Sequence, residues 1–132
     1  MNIIDSSLWL EYFAGTLKNE LVYELIETPQ KQLLLVICIY EVYKRMLIEK
    51  DETAALHTTS FMQNANVIDL TSHIVVFAAK LSKQHKLPMA DSIIYATAKI
   101  YNAEIFTQDK HFENLLQVHY YPKEKNIYNK II

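Results

Sequence analysis

The stretch Met89-Ala90-Asp91-Ser92-Ile93-Ile94-Tyr95-Ala96-Thr97-Ala98-Lys99-Ile100-Tyr101-Asn102, continuing into Ala103-Glu104-Ile105-Phe106-Thr107-Gln108-Asp109, decides the fold. In its first part Ile93, Ile94, Ala96, Thr97 and Ile100 gather near one face at helical spacing, which predicts a helix from about Met89 to Tyr101. Asn102 stands where a helix C-terminus favours a left-handed residue, and Asn is the best substitute for Gly there. Ile105-Phe106 is then a short, wholly apolar run, as expected of a strand buried on both faces. One acid, Asp91, falls in the first turn of the helix, and another, Asp109, falls just past the strand.

The same alternation extends outward in both directions. Ile3-Ile4, Leu33-Leu34-Leu35-Val36-Ile37 and Val67-Ile68 are further apolar runs, expected like Ile105-Phe106 to be strands buried on both faces, and Val118-His119-Tyr120 is a candidate fifth strand. Between them, Leu8 and Tyr12, with Trp9 and Phe13, mark a first helix that Gly15 ends by adopting positive φ. Leu21, Val22, Leu25 and Ile26 mark a second helix, stopped before Pro29. Val42, Tyr43, Met46 and Leu47 carry the helical spacing from Ile39 to Lys50. A more polar helix is expected over roughly Glu52 to Gln63, and another from Ile74 to His85 with Phe77, Ala78 and Leu81 inward. Strands alternating with helices of this length imply an α/β domain with a parallel sheet. The tail after Pro122 is polar until Ile131-Ile132 and reads as a last strand or a loosely held end.

Composition sets the bounds. With 132 residues the chain suits one domain, 1–132, and one core. Hydrophobic residues make up 51% and charged residues 21%, a globular balance, and a single Gly with three Pro leaves no flexible linker. One Gly also excludes a glycine-rich phosphate loop or dinucleotide fingerprint. The lone Cys38, inside an apolar run, reads as a small core hydrophobe and fits a reducing compartment. The start lacks the basic and apolar regions of a signal peptide, and no window approaches a membrane span, so a cytoplasmic location is expected. Net charge is −2. Reserving four acids for a site leaves 11 acidic against 13 basic residues, which permits a polyanionic partner without demanding one.

Four acids share one placement. An open α/β sheet binds ligands outside the carboxyl ends of its strands. Asp5 directly follows Ile3-Ile4, Asp109 follows the run ending at Phe106, Asp91 opens a helix, and Glu41 lies in about the first turn of the helix entered from the second strand. Asp5 and Asp109 singly are also consistent with helix N-caps. Glu41 and Asp91 are flanked by Ile39, Tyr40 and Val42, and by Met89, Ala90, Ile93 and Ile94, where an uncompensated carboxylate is costly. Four carboxylates without His or Cys suit a hard cation, Mg²⁺ with Mn²⁺ as a substitute, and such sites act on phosphate oxygens. Their mutual repulsion raises their pKa values until an ion binds.

The motifs Ile-Ile-Asp5-Ser-Ser, Tyr-Glu41-Val, Met-Ala-Asp91-Ser-Ile-Ile-Tyr-Ala-Thr-Ala and Phe-Thr-Gln-Asp109-Lys-His-Phe, in this order and spacing over nearly the whole chain, resemble the PIN-domain family. They are most similar to its VapC-type toxins of toxin–antitoxin pairs. The resemblance implies a three-layer α/β/α sandwich with a mostly parallel sheet. It also implies a Mg²⁺- or Mn²⁺-dependent endoribonuclease, a homodimer, and a cognate antitoxin that covers the acidic cleft. It makes Asp5, Glu41, Asp91 and Asp109 the catalytic and metal-binding acids. Ser6 and Thr107 match small hydroxyl residues that hydrogen-bond a carboxylate or a bound water. Lys44-Arg45 stands where many relatives carry a small residue, a departure bearing on substrate and partner.

Other features are read more plainly. His57, His73, His85, His111 and His119 lack metal-ligand spacing, and His111, nearest an acid, reads as an exposed helix residue. Lys44, Arg45, Lys110 and Lys123 are candidates for phosphate contact across the cleft. Trp9, Tyr12 and Phe13 form core or a dimer seam. Competing readings are a housekeeping PIN nuclease, a non-catalytic PIN-like RNA-binding module, and a phosphoacceptor receiver-like domain. The last usually needs an adjacent acidic pair after the first strand, where this chain has Asp5 and two serines.

Overall fold

A computed structural model describes residues 1–123, and the expected tail element after Pro122 falls largely outside them. The described chain runs β1 (Asn2–Ile4), α1 (Ser6–Ala14), α2 (Glu20–Ile26), β2 (Leu33–Leu35), α3 (Val36–Glu49), α4 (Glu52–Met62), β3 (Asn66–Ile68), α5 (Ser72–His85), α6 (Met89–Tyr101), β4 (Glu104–Thr107) and β5 (Val118–Tyr120). Short 3₁₀ turns occupy Pro29–Lys31 and Lys110–Phe112. The strand pairs β1·β4, β4·β5 and β2·β3 are all parallel. A single parallel bridge, Asn2 with Gln32, joins the two sets into the order β3-β2-β1-β4-β5.

This order makes the layers. The first two crossovers move one way along the sheet and the third returns across it. Right-handed connections therefore put α1 to α4 on one face and α5 and α6 on the other. Helices α3 and α4 pack together, as do α5 and α6. The central strands are covered on both sides: Ile3, Ile4, Leu33, Leu34, Leu35, Ile105, Phe106 and Thr107 are all buried. Strand β3 departs from the expectation of burial on both faces, with Asn66 and Val67 exposed, because it is the edge of the sheet.

Helix ends follow their residues. Gly15 (φ +74°) and Asn102 (φ +51°) take the left-handed conformation that closes α1 and α6. Asp51 and Thr71 cap α4 and α5 by accepting from Ala54 and Ile74 N–H. Buried Gln32 donates its side-chain amide to the carbonyls of Leu25 and Ile26, closing α2 against β2. The second strand was expected to run to Ile37, but it ends at Leu35 and α3 starts at Val36. Cys38, Val42 and Met46, four apart, are the buried face of that helix, and packing overrides the strand preference of Val36 and Ile37. Trp9 is core. It packs edge-on against Phe61 of α4, and Tyr12 stacks on the same ring at 5.7 Å.

Candidate active site

The carboxyl ends of β1 and β4 deliver two acids directly. Asp5 follows β1, and its backbone N–H donates to Phe106 O of β4 at 2.9 Å, fixing the two strand ends side by side. Asp5 occupies the N-cap of α1 without a side-chain cap bond. Its Oδ2 instead accepts from Thr107 Oγ1 at 2.8 Å and Ser7 Oγ at 3.1 Å. Thr107 Oγ1 in turn accepts from Asp109 N–H at 2.9 Å, so one hydroxyl positions both acids. Asp109 does act as a cap, accepting from His111 N–H at 2.9 Å.

The other two acids arrive on helices. Asp91 is in the first turn of α6, entered through Leu87-Pro88, and is buried. Glu41 belongs to the second turn of α3 rather than the first, because that helix begins early. Ser6 Oγ donates to Glu41 Oε1 at 3.3 Å, tying α1 to α3.

Electrostatics show that the four form one cluster. Burial pushes the Asp5 carboxyl above the usual carboxylate range. The Thr107 and Ser7 hydroxyls and the Ser6 N–H pull it back, while the Asp109 charge adds to the rise. Glu41 is pushed up to about 7 by burial and then by the charge of Asp5. Asp91 is raised to about 8 by burial and then by Asp109, with Asp5 and Glu41 contributing. Asp5, Glu41 and Asp91 are thus each held above the ordinary carboxylate range by burial and by charge from within the group.

The donor set fits a divalent cation. The four acids offer carboxylate oxygens in partly dry surroundings, and a divalent charge offsets both the burial and the repulsion. Asp5, Glu41, Asp91 and Asp109 are the residues that would hold it.

Two neighbours escaped the sequence reading. Ser7 bridges Asp5 and the backbone N–H of Gln108 (3.2 Å to Ser7 Oγ). His111 is exposed as expected but is not a bystander, since its Nδ1 lies 2.7 Å from Asp109 Oδ1 and 3.4 Å from Asp91 Oδ2. A two-residue offset from an acid in a 3₁₀ turn was the only signal for it. Cys38 is fully buried near Asp5 and Glu41, and burial pushes its thiol well up, as for an inert core cysteine.

A cleft of about 420 Å³ opens beside Ser7 and Asp109, between α1 and α3, lined further by Arg45, Lys50 and Lys123. Arg45 also pairs with Glu49 at 2.6 Å. Of the four bases read as cleft residues, Arg45 and Lys123 line it. Lys44 lies over the Tyr40 ring instead, and Lys50 joins unforeseen. Among the described residues, no helix is long and apolar enough to cross a membrane.

Solved structures share this architecture. A toxin–antitoxin complex from Klebsiella pneumoniae aligns with a TM-score of 0.77 at 22% identity, covering 93% of this chain and all of that one. VapBC2 from Rickettsia felis, bound to a DNA fragment from its promoter, aligns with a TM-score of 0.71 at 12% identity, over 92% and 97% of the two chains. The Mycobacterium tuberculosis VapC20 toxin, described as cleaving the Sarcin-Ricin loop, aligns with a TM-score of 0.69 at 12% identity, over 89% and 98%. No curated protein sequence matches the chain. The PIN domain profile matches residues 3–115, from the first strand through the 3₁₀ turn after Asp109. The chain belongs to the PIN domain family.

Proposed function

We propose that this chain is a single-domain, divalent-metal-dependent endoribonuclease of the cytoplasm, the toxin of a type II toxin–antitoxin pair, working as a homodimer and restrained by a cognate antitoxin. The observation that carries the reading is the convergence of Asp5, Glu41, Asp91 and Asp109 at one sheet edge, with the ionisation of Asp5, Glu41 and Asp91 suppressed by burial and by neighbouring acids. Toxin–antitoxin complexes among the structures sharing the fold support the partner, and the Mycobacterium tuberculosis toxin described as cleaving the Sarcin-Ricin loop supports the substrate class.

The four carboxylates would hold Mg²⁺, with Mn²⁺ as a substitute. When bound, the ion supplies Lewis-acid chemistry, orienting the scissile phosphate and making a water a competent nucleophile at neutral pH. Thr107 and Ser7 keep Asp5 oriented through their hydroxyls, and Ser6 does the same for Glu41. Arg45, Lys50 and Lys123 bind phosphates flanking the cut, where cations supply most of the affinity for RNA.

The test is Asp5→Asn, assayed on RNA with Mg²⁺. Cleavage should fall by about 100-fold or more, while the wild type loses activity with chelator. In cells the wild type should arrest growth, with relief on co-expression of a short partner encoded beside it, and the variant should not arrest growth. Undiminished cleavage by the variant would remove Asp5 from the machinery.

A further inference from the structure

We propose that His111 is a nitrogen ligand of the divalent-ion site, at its Asp91–Asp109 end, and that it tilts the site from Mg²⁺ toward Mn²⁺. The inference rests on the metal-nuclease reading of the same acids. His111 Nδ1 sits 2.7 Å from Asp109 Oδ1 and 3.4 Å from Asp91 Oδ2. One ligand atom from each of the three residues falls within 4.8 Å of the others. Adjacent ligands of an octahedral ion bonded at about 2.1 Å are about 3.0 Å apart, and the two His111 distances bracket that spacing.

The ring is aimed by its own backbone. The His111 N–H donates to Asp109 Oδ1, and buried Phe112 anchors the turn from inside. In the tautomer that carries its proton on Nε2, the ring presents the Nδ1 lone pair toward the two acids. The other end of the cluster offers Asp5 and Glu41 beside the buried Cys38. The nitrogen therefore enters from one side. Mg²⁺ prefers oxygen and water throughout, whereas a first-row transition ion accepts imidazole, and Mn²⁺ combines that with a taste for carboxylates.

The experiment titrates the full chain with MnCl₂ and with MgCl₂ by calorimetry, for wild type, His111→Ala and His111→Gln, and records electron spin echo spectra of the Mn²⁺-loaded proteins. The wild type should prefer Mn²⁺ and show modulation from a directly bound nitrogen. Both variants should lose the nitrogen signal and about tenfold in Mn²⁺ affinity, with Mg²⁺ affinity within about twofold of wild type. His111 is exposed, so both variants should keep the wild-type circular dichroism. An unchanged Mn²⁺-to-Mg²⁺ ratio in the variants, or no nitrogen signal in wild type, overturns the role of His111 alone. Binding of neither ion by wild type overturns the metal-nuclease reading beneath it.

Discussion

The Thr107 hydroxyl donates to Asp5 and accepts from Asp109 N–H, so a single oxygen in β4 joins acids 104 positions apart in the chain. Replacing it with Val keeps the shape and strands both partners. Thr107→Val should cost about 1–3 kcal/mol in urea unfolding, because a buried carboxylate and an N–H lose a partner. Cleavage should fall about 10- to 100-fold, as for other groups that orient ligands, and a turnover assay alongside the melt separates the two losses. At this scale the sequence was legible where an acid follows an apolar run or opens a helix, as with Asp5 and Asp91. It was not legible for Ser7, Lys50 and His111. Their roles come from a bend in the chain that brings Gln108, α3 and the 3₁₀ turn to the same edge, and neither composition nor spacing encodes that bend.

Helix ends were the most readable elements. Gly15 and Asn102 both adopt positive φ, as their residue types imply, while Lys86 does so at the end of α5 against the left-handed cost for an L residue. Asn102→Ala should lower stability by about 1 kcal/mol, measured by urea unfolding, and Asn102→Gly should not. The boundary between β2 and α3 was less readable. Val36 and Ile37 suit either state, and only the burial of Cys38 and Val42 against the sheet selects helix. That choice moves Glu41 along the helix to where Ser6 reaches it, so an element boundary and a site residue were misplaced together. Strand β3 reads like the central strands for the same reason: two apolar residues do not reveal whether a neighbour covers them.

Across the whole molecule the four acids set a conflict between folding and charge. Asp5, Glu41 and Asp91 all have native pKa values above their ordinary ones, so the native state binds protons more tightly than the unfolded chain. Their contribution to stability is fully present below about pH 4 and is lost as pH rises through the native values near 7 and 8. Metal-free protein should therefore melt at falling temperature from pH 5 to 8.5 in scanning calorimetry, and Asp91→Asn should flatten that fall. Saturating Mn²⁺ or Mg²⁺ should reverse it, since an ion that binds only the ionised native cluster adds stability by mass action. A melting temperature that rises with pH in chelator would contradict the charge cluster. The sheet adds one more consequence. Among the described residues the Asn2–Gln32 bridge is the one strand pairing between β1-β4-β5 and β2-β3, while Asp5 and Asp109 belong to one side of that seam and Glu41 to the other. Without an ion, backbone amides of the two sides should exchange with deuterium as separate cooperative units, and loading the site should lock them into one, so that the cluster acts as a clasp across the sheet.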